Sequence, residues 1–497
     1  MARGLRWGVP LVATLLLAVF PLVSLFAHNQ TEVELSVLWW PLVWCLGGAA
    51  ATYCVFLVLA RPPASAGVLA SLVVVAFFYC GLFSEVAPSR RFLALWLGVF
   101  IVALVLVLLT KRDLFALTVI AVFGAAAMVL PQLASIVLYH VHHPAPAATD
   151  PRLWPTALET PTPPTGAQLP DIYVIMPDDY VRADILQQYF NYDDGAFIQQ
   201  LEDRGFVVSR ESRSPYSYSE MNMASLLNLD YLSRFPEIMG TTSMDMRPVK
   251  RVMEDNRASR VLATLGYDYV HLDTDEVTFA GRNPNISPLA SPDSFMSLWL
   301  QGSILRSVGG SLGFDDAANN ARFRDSARSV FSALADVPAT PGPKFVVFHT
   351  LLPHDPYLFG PQGEAVTFPS EADHTGAVGM EYYLQQLEYV NGQILDAVDA
   401  IQARSATPPV ILLQADEGFE VNENLFGEAA TQDIRVKGLS AFNLPGHSGA
   451  GVPDPPNTVN DLRFVFNEYL GTHYPMLDTV SYPELDLLYQ FDEIPVR

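Results

Sequence analysis

Apolar residues fall along this chain in two rhythms. Up to about residue 140 they come in unbroken blocks, at residues 8–27, 36–60, 65–84, 92–110 and 114–139. Each block is close to the roughly 20 apolar residues an α-helix needs to cross a bilayer. Five in succession predict a five-span transmembrane domain, residues 1–140. Beyond residue 169 the blocks shorten. Residues 171–176, 206–209, 269–272, 345–349 and 410–415 have the β-branched and aromatic content of buried strands. Between the last two, Leu384, Leu387, Val390, Ile394, Val398 and Ile401 recur at helical spacing. Strands alternating with helices predict an α/β domain, residues 170–497, with a mostly parallel sheet between helices. Seven prolines in residues 141–169 predict an extended tether between the two domains.

Charge separates the same two regions. Residues 1–169 hold 8 Lys/Arg and 6 Asp/Glu, leaving 21 of the 29 basic and 46 of the 52 acidic residues after them, so the net charges are +2 and −25. A region that acidic lacks the Lys/Arg footprint by which proteins neutralise nucleic-acid phosphates, so nucleic acid is not an expected partner. In the short loops, Arg3, Arg6, Arg61, Lys111 and Arg112 lie on one side of the five spans, against Arg90 and Arg91 on the other. The excess of positive charge predicts a cytoplasmic N-terminus and, after an odd number of spans, an extracytoplasmic C-terminal domain in the plasma membrane. The three cysteines, Cys45, Cys54 and Cys80, all precede residue 81. A metal held by the outer domain would therefore take oxygen and imidazole ligands, not thiolate.

Those ligand types gather where strands are expected to end. The run 410–415 delivers Asp416 and Glu417, and the run 171–176 delivers Asp178 and Asp179. Neighbouring parallel strands bring their C-terminal ends together, which is where open α/β sheets bind ligands. Paired carboxylates resist ionising together unless a cation neutralises them, so a divalent metal is the expected cofactor. His349 and His354 follow a third strand, and His447 occurs later in Leu444-Pro-Gly-His447. Such clusters suit metal-assisted phosphoryl or sulfuryl chemistry.

Four stretches in this order resemble the alkaline-phosphatase-like superfamily, specifically its membrane-anchored sulfatase-like branch of lipoteichoic acid synthases and lipid A phosphoethanolamine transferases. They are Pro170-Asp-Ile-Tyr-Val-Ile-Met-Pro-Asp178-Asp-Tyr180, Ser214-Pro-Tyr-Ser-Tyr-Ser219-Glu-Met-Asn222, Phe348-His-Thr-Leu-Leu-Pro-His354-Asp-Pro-Tyr357 and Leu413-Gln-Ala-Asp416-Glu-Gly418. The resemblance implies that Asp178, Ser219 and Asp416 are metal ligands, that Ser219 is also the nucleophile, and that His354 contacts the substrate; His349 and His447, from their place in the chain, are further substrate-binding candidates. Ser217 remains open as an alternative nucleophile. Glu417 stands where the family has a histidine ligand. As a ligand it would favour a harder ion, manganese or magnesium over zinc. The formylglycine sulfatase signature is absent around Ser219. The implied activity is transfer of a phospho-alcohol group between membrane lipid and an envelope glycan or lipid through a covalent serine intermediate. The alternatives are a phosphoester or sulfoester hydrolase and a non-catalytic envelope scaffold.

Overall fold

The computed structural model describes residues 2–60, 62–81, 90–166, 168–273, 294–308, 316–369, 372–447, 452, 457–482 and 487–491. The chain divides into two compact units, Met1–Ala145 with Pro292–Ala321, and Pro146–Ser291 with Arg322–Arg497.

The first unit is built on α1 (Ala2–His28), α2 (Trp39–Ala60), α3 (Pro63–Phe78), α4 (Arg90–Leu109) and α5 (Phe115–His142). Among the described residues four of its helices are long and apolar enough to cross a membrane, and α3 is shorter. The expected third span, 65–84, runs on into residues outside the described set. α1 meets α3 closely: Gly67 leaves no room for a Cβ against Pro10, and the Thr14 hydroxyl lies 3.2 Å from that of Ser71. Small and hydroxylated residues at a helix contact are how apolar helices associate without a hydrophobic driving force. Trp39, Trp40, Val58, Leu109 and Phe123 are exposed, as side chains facing lipid would be.

One apolar helix, Ser294–Gln301, departs from the expected domain boundaries. The sequence pattern assigned it to the outer domain, yet Phe295 and Trp299 are buried in a cluster with Phe26, Cys45, Val74 and Val129 of the first unit.

The second unit holds a six-stranded sheet in the order β2-β6-β5-β1-β4-β3. The strands are β1 (Ile172–Asp178), β2 (Val207–Val208), β3 (Asp268–Asp273), β4 (Lys344–Pro353), β5 (Val410–Gln414) and β6 (Ser440–Asn443). β3, β4, β1 and β5 run parallel, and β6 is antiparallel to both β5 and β2. The sheet is therefore mixed. β6 carries no alternating apolar pattern, so its reversal is not visible in sequence.

Period-two alternation sends each strand's side chains to two cores. Ile172, Val174, Met176, Val347 and Leu412 pack with α6 (Ser219–Asn228) on one face. Tyr173, Ile175, Phe348 and Leu413 meet α7 (Asp316–Asp336) and the 28-residue α8 (Ala377–Arg404) on the other. β1 and β5 are buried throughout, as the apolar runs of a sheet covered on both faces require. α9 (Glu428–Val436) and α10 (Thr458–Leu470) complete the elements used below.

Of the proline-rich segment, residues 146–166, which include a 3-10 turn at Pro151–Leu153, are docked on this unit and do not form a free tether. Leu153 is fully buried, Trp154 packs edge-on against Phe235, and the Thr156 amide donates to the buried Asp230. Arg463 and Arg257 hold the same aspartate at 3.6 and 3.7 Å. Prolines removed the segment's competing donors, and its remaining polar groups found buried partners instead.

Candidate metal centre

Register and alternation determine which side chains meet at the C-terminal edge of the sheet. His349 of β4 stands level with Met176 of β1 and with Asp273 of β3. Side chains at one level of adjacent parallel strands share a face, so His349 and Asp273 both lie on the α6 side. Asp178 is two residues beyond Met176, and Asp416 is four beyond Leu412, so alternation carries both acids to that face. Asp178, His349 and Asp416 each present one ligand atom, all mutually within 4.8 Å. His349 Nε2 lies 4.0 Å from Asp178 Oδ2 and 3.7 Å from Asp416 Oδ2, and its Nδ1 is 3.2 Å from Asp273 Oδ1. Asp178 Oδ1, His349 Nε2 and Asp416 Oδ2 are buried without a hydrogen-bond partner.

A second group, Asp178, Asp179 and Glu417, also lies within 4.8 Å. Asp179 follows the strand in the left-handed region at φ 58°, a conformation a short polar side chain tolerates. Its neighbours are cationic. Arg435 of α9 places NH1 3.8 Å from Asp179 Oδ1 and NH2 3.2 Å from Glu417 Oε1, and His354 Nε2 lies 3.8 Å from Asp179 Oδ2. Arg435 also donates from NH2 to the Ser217 carbonyl at 2.9 Å, while NH1 has no hydrogen-bond partner.

Gly418 is what brings α9 this close. Its amide donates to the Arg435 carbonyl at 2.7 Å, and a Cβ there would overlap the Ile434 carbonyl.

Ser219 is the first residue of α6, where unpaired amides and the helix dipole favour developing negative charge. Its hydroxyl points to Glu417 Oε1 at 3.5 Å. Ser217, the alternative nucleophile, is buried and turns its carbonyl to Arg435.

The electrostatics are those of too many acids in one dry place. Burial, then the charge of Asp416, pushes Asp178 well above the carboxylate range. Burial raises Asp179 to about 6 against the opposing pull of His354 and Arg435. Burial likewise raises Glu417, again against Arg435. For Asp416 burial acts upward too, but His349 and the Ser219 hydroxyl beside it hold its carboxyl below the usual value. His354 is pushed up to about 12, because Asp179 and Asp355 outweigh its burial.

Asp178, Asp179, Ser219, His349, His354, Asp416 and Glu417 thus converge. His447 does not. β6 runs antiparallel to β5, so the chain beyond Asn443 leaves the sheet at the opposite edge, where His447 pairs with Glu468 at 3.1 Å and packs against Tyr469. His349, expected to bind substrate, lies within the ligand group instead. Sequence reasoning missed two participants. Asp273 had a signal, an acid ending a strand, like Asp178. Arg435 had none, being one arginine on a short helix.

No family model matches this sequence, and no curated protein matches it. Solved structures do show likeness. Lipooligosaccharide phosphoethanolamine transferase A (EptA), an integral membrane protein from Neisseria meningitidis, is 11% identical with a TM-score of 0.39, covering 95% of this chain and 92% of that one. The C-terminal periplasmic domain of EptC from Escherichia coli, in complex with Zn, is 11% identical with a TM-score of 0.39, over 64% of this chain and 87% of that one. BT1596, a 2-O GAG sulfatase, is 13% identical with a TM-score of 0.38, over 62% of this chain and 72% of that one.

Proposed function

We propose that this chain is a metal-dependent transferase that moves a phospho-alcohol group from a membrane lipid to an envelope glycan or lipid. The N-terminus would be cytoplasmic, the outer domain extracytoplasmic, and a covalent intermediate would form on Ser219. The observation that carries the reading is a set of three buried, unpartnered ligand atoms, Asp178 Oδ1, His349 Nε2 and Asp416 Oδ2, beside a serine hydroxyl at a helix start. The donor set fits a divalent ion, since two carboxylates and an imidazole converging in one buried place are the oxygen and nitrogen ligands such an ion takes.

An ion held by Asp178 and Asp416 would act as a Lewis acid, lowering the serine's pKa and drawing charge from the phosphoryl oxygens. The chain's own groups supply the remaining chemistry. The Ser219 oxygen attacks phosphorus and its proton passes to Glu417 Oε1, 3.5 Å away. The P–O bond to the leaving alcohol breaks, and His354, one-third exposed at 32%, protonates the departing oxygen. Arg435 NH1, which has no hydrogen-bond partner, is available to the non-bridging oxygens. In the second half-reaction an acceptor hydroxyl gives its proton to His354 and attacks phosphorus. The bond to Ser219 then breaks as Glu417 returns the first proton. Water as the acceptor makes the same site a phosphoester hydrolase.

The test is turnover of a fluorescent phospholipid by Ser219→Ala and Ser217→Ala proteins, with mass spectrometry of trapped adducts. Loss of both turnover and adduct in Ser219→Ala alone is expected. Undiminished adduct in that variant would overturn the assignment.

A second reading, a non-catalytic envelope scaffold, is favoured by one observation, the engagement of Glu417 by Arg435 at 3.2 Å. It predicts no turnover in the unmodified protein.

A further inference from the structure

Glu417 stands where an imidazole ligand was expected from the resemblance, and the site supplies an imidazole from elsewhere. His349 is 1% exposed at the end of β4, with Nδ1 3.2 Å from Asp273 Oδ1 and Nε2 directed between Asp178 and Asp416. A histidine that ligates a metal commonly has this form, with one nitrogen turned to the ion and the other held by a carboxylate that fixes ring and tautomer. At 4.0 and 3.7 Å, the two Nε2–carboxylate distances are too long for hydrogen bonds. Ligands straddling one ion at bonds of about 2.0–2.1 Å stand roughly 3.3 Å apart in a tetrahedral arrangement, a few tenths of an ångström closer than here.

The competing group is differently served. Glu417 Oε1 faces Arg435 NH2 at 3.2 Å, and Asp179 lies between Arg435 and His354, each at 3.8 Å. Asp179 and Glu417 thus each face a cation, although Asp179 Oδ1 and Glu417 Oε2 are themselves buried without a hydrogen-bond partner. The Asp178–His349–Asp416 group likewise has three unpartnered atoms, and it is the one of the two that contains an imidazole, already oriented by Asp273.

We propose that His349, oriented by Asp273, is the imidazole ligand of a single divalent ion also bound by Asp178 and Asp416. Glu417 is then Arg435's partner and not a ligand. This deepens the functional reading above and rests on its metal centre. It also removes the expected preference for a harder ion. Two carboxylates and an imidazole are a borderline donor set that accommodates zinc as readily as manganese.

The experiment uses full-length protein purified in detergent, stripped with chelator and titrated with Zn²⁺ or Mn²⁺. Bound metal is measured by mass spectrometry, and imidazole coordination by the nitrogen modulation of the Mn²⁺ electron spin echo. One equivalent is expected, with nitrogen modulation present. His349→Ala should weaken binding at least 100-fold and abolish the modulation, and Asp273→Asn should weaken it about 10- to 100-fold. Glu417→Gln should keep the modulation. A wild-type echo without nitrogen modulation would overturn the assignment whether or not the variants fold. So would His349→Ala protein that binds metal as tightly as wild type, and in both cases the metal centre itself would stand. Unmodified protein that binds neither ion would remove the metal centre, and the assignment with it.

Discussion

Replacing Arg435 with methionine keeps the aliphatic stem of the side chain and removes its charge. In the folded protein the guanidinium lies 3.2 Å from Glu417 Oε1, with the two side chains 18% and 5% exposed, and 3.8 Å from both Asp179 and Glu420. Coulomb's law at an effective dielectric near 20 puts the closest pair at about 5 kcal/mol before desolvation. Desolvation offsets much of that, but removing one partner leaves Glu417 and Asp179 buried without it, a change of roughly 3–5 kcal/mol. Arg435→Met should therefore lower the unfolding free energy of the chelator-treated full-length protein by about 3 kcal/mol in urea titrations. Removing the opposite charge as well, in Arg435→Met/Glu417→Gln, relieves the orphaned acid. The double variant should be about 2 kcal/mol more stable than the sum of the single changes predicts. Additivity within roughly 0.5 kcal/mol would refute the pairing, because independent sites behave that way.

Two further outcomes follow from other parts of the molecule. Buried Asp194 has Asn391 Nδ2 and the Tyr180 hydroxyl each at 2.9 Å, and burial raises its pKa to about 7 against the pull of these two hydrogen bonds. The folded state then holds a proton that the unfolded chain loses near pH 4, so this group's contribution falls as pH rises from about 4 to 7, and Asp194→Asn should flatten the stability profile measured across that window. Gly418→Ala forces a Cβ against the Ile434 carbonyl, a backbone atom that can yield only by moving α9; a loss of about 1–3 kcal/mol in urea unfolding is expected, together with weakened coupling between Arg435 and Glu417 in the same double-variant cycle.

What sequence alone made legible follows from where each residue's signal lay. Asp178 and Asp416 end strands whose apolar runs are unmistakable, and parallel pairing of β1 with β5 was enough to bring them together. Asp273 ends a strand too, but its role depends on standing level with His349, a register that hydrophobic pattern does not encode. His447 was misplaced because β6 has only four residues and reads Ser-Ala-Phe-Asn, which hides the reversal that takes the following chain to the far edge. Arg435 depends on a helix approach permitted by Gly418, a contact between segments that no local motif records. Ser294–Gln301 reads as any short apolar helix, and only its burial beside Phe26 and Cys45 reveals where it belongs.

Alternation along the strands has an evolutionary corollary. Asp273, His349, Asp178 and Asp416 share one face because each stands in even phase with its strand's inward apolar residues. Exchanging one of these side chains alters one member of the cluster and leaves the sheet intact. Inserting or deleting a single residue within β4 would turn His349 toward the core that holds Phe348, and bring an apolar neighbour to the acids. Side-chain identity on that face can therefore change one position at a time, while the lengths of β1, β3, β4 and β5 are constrained together.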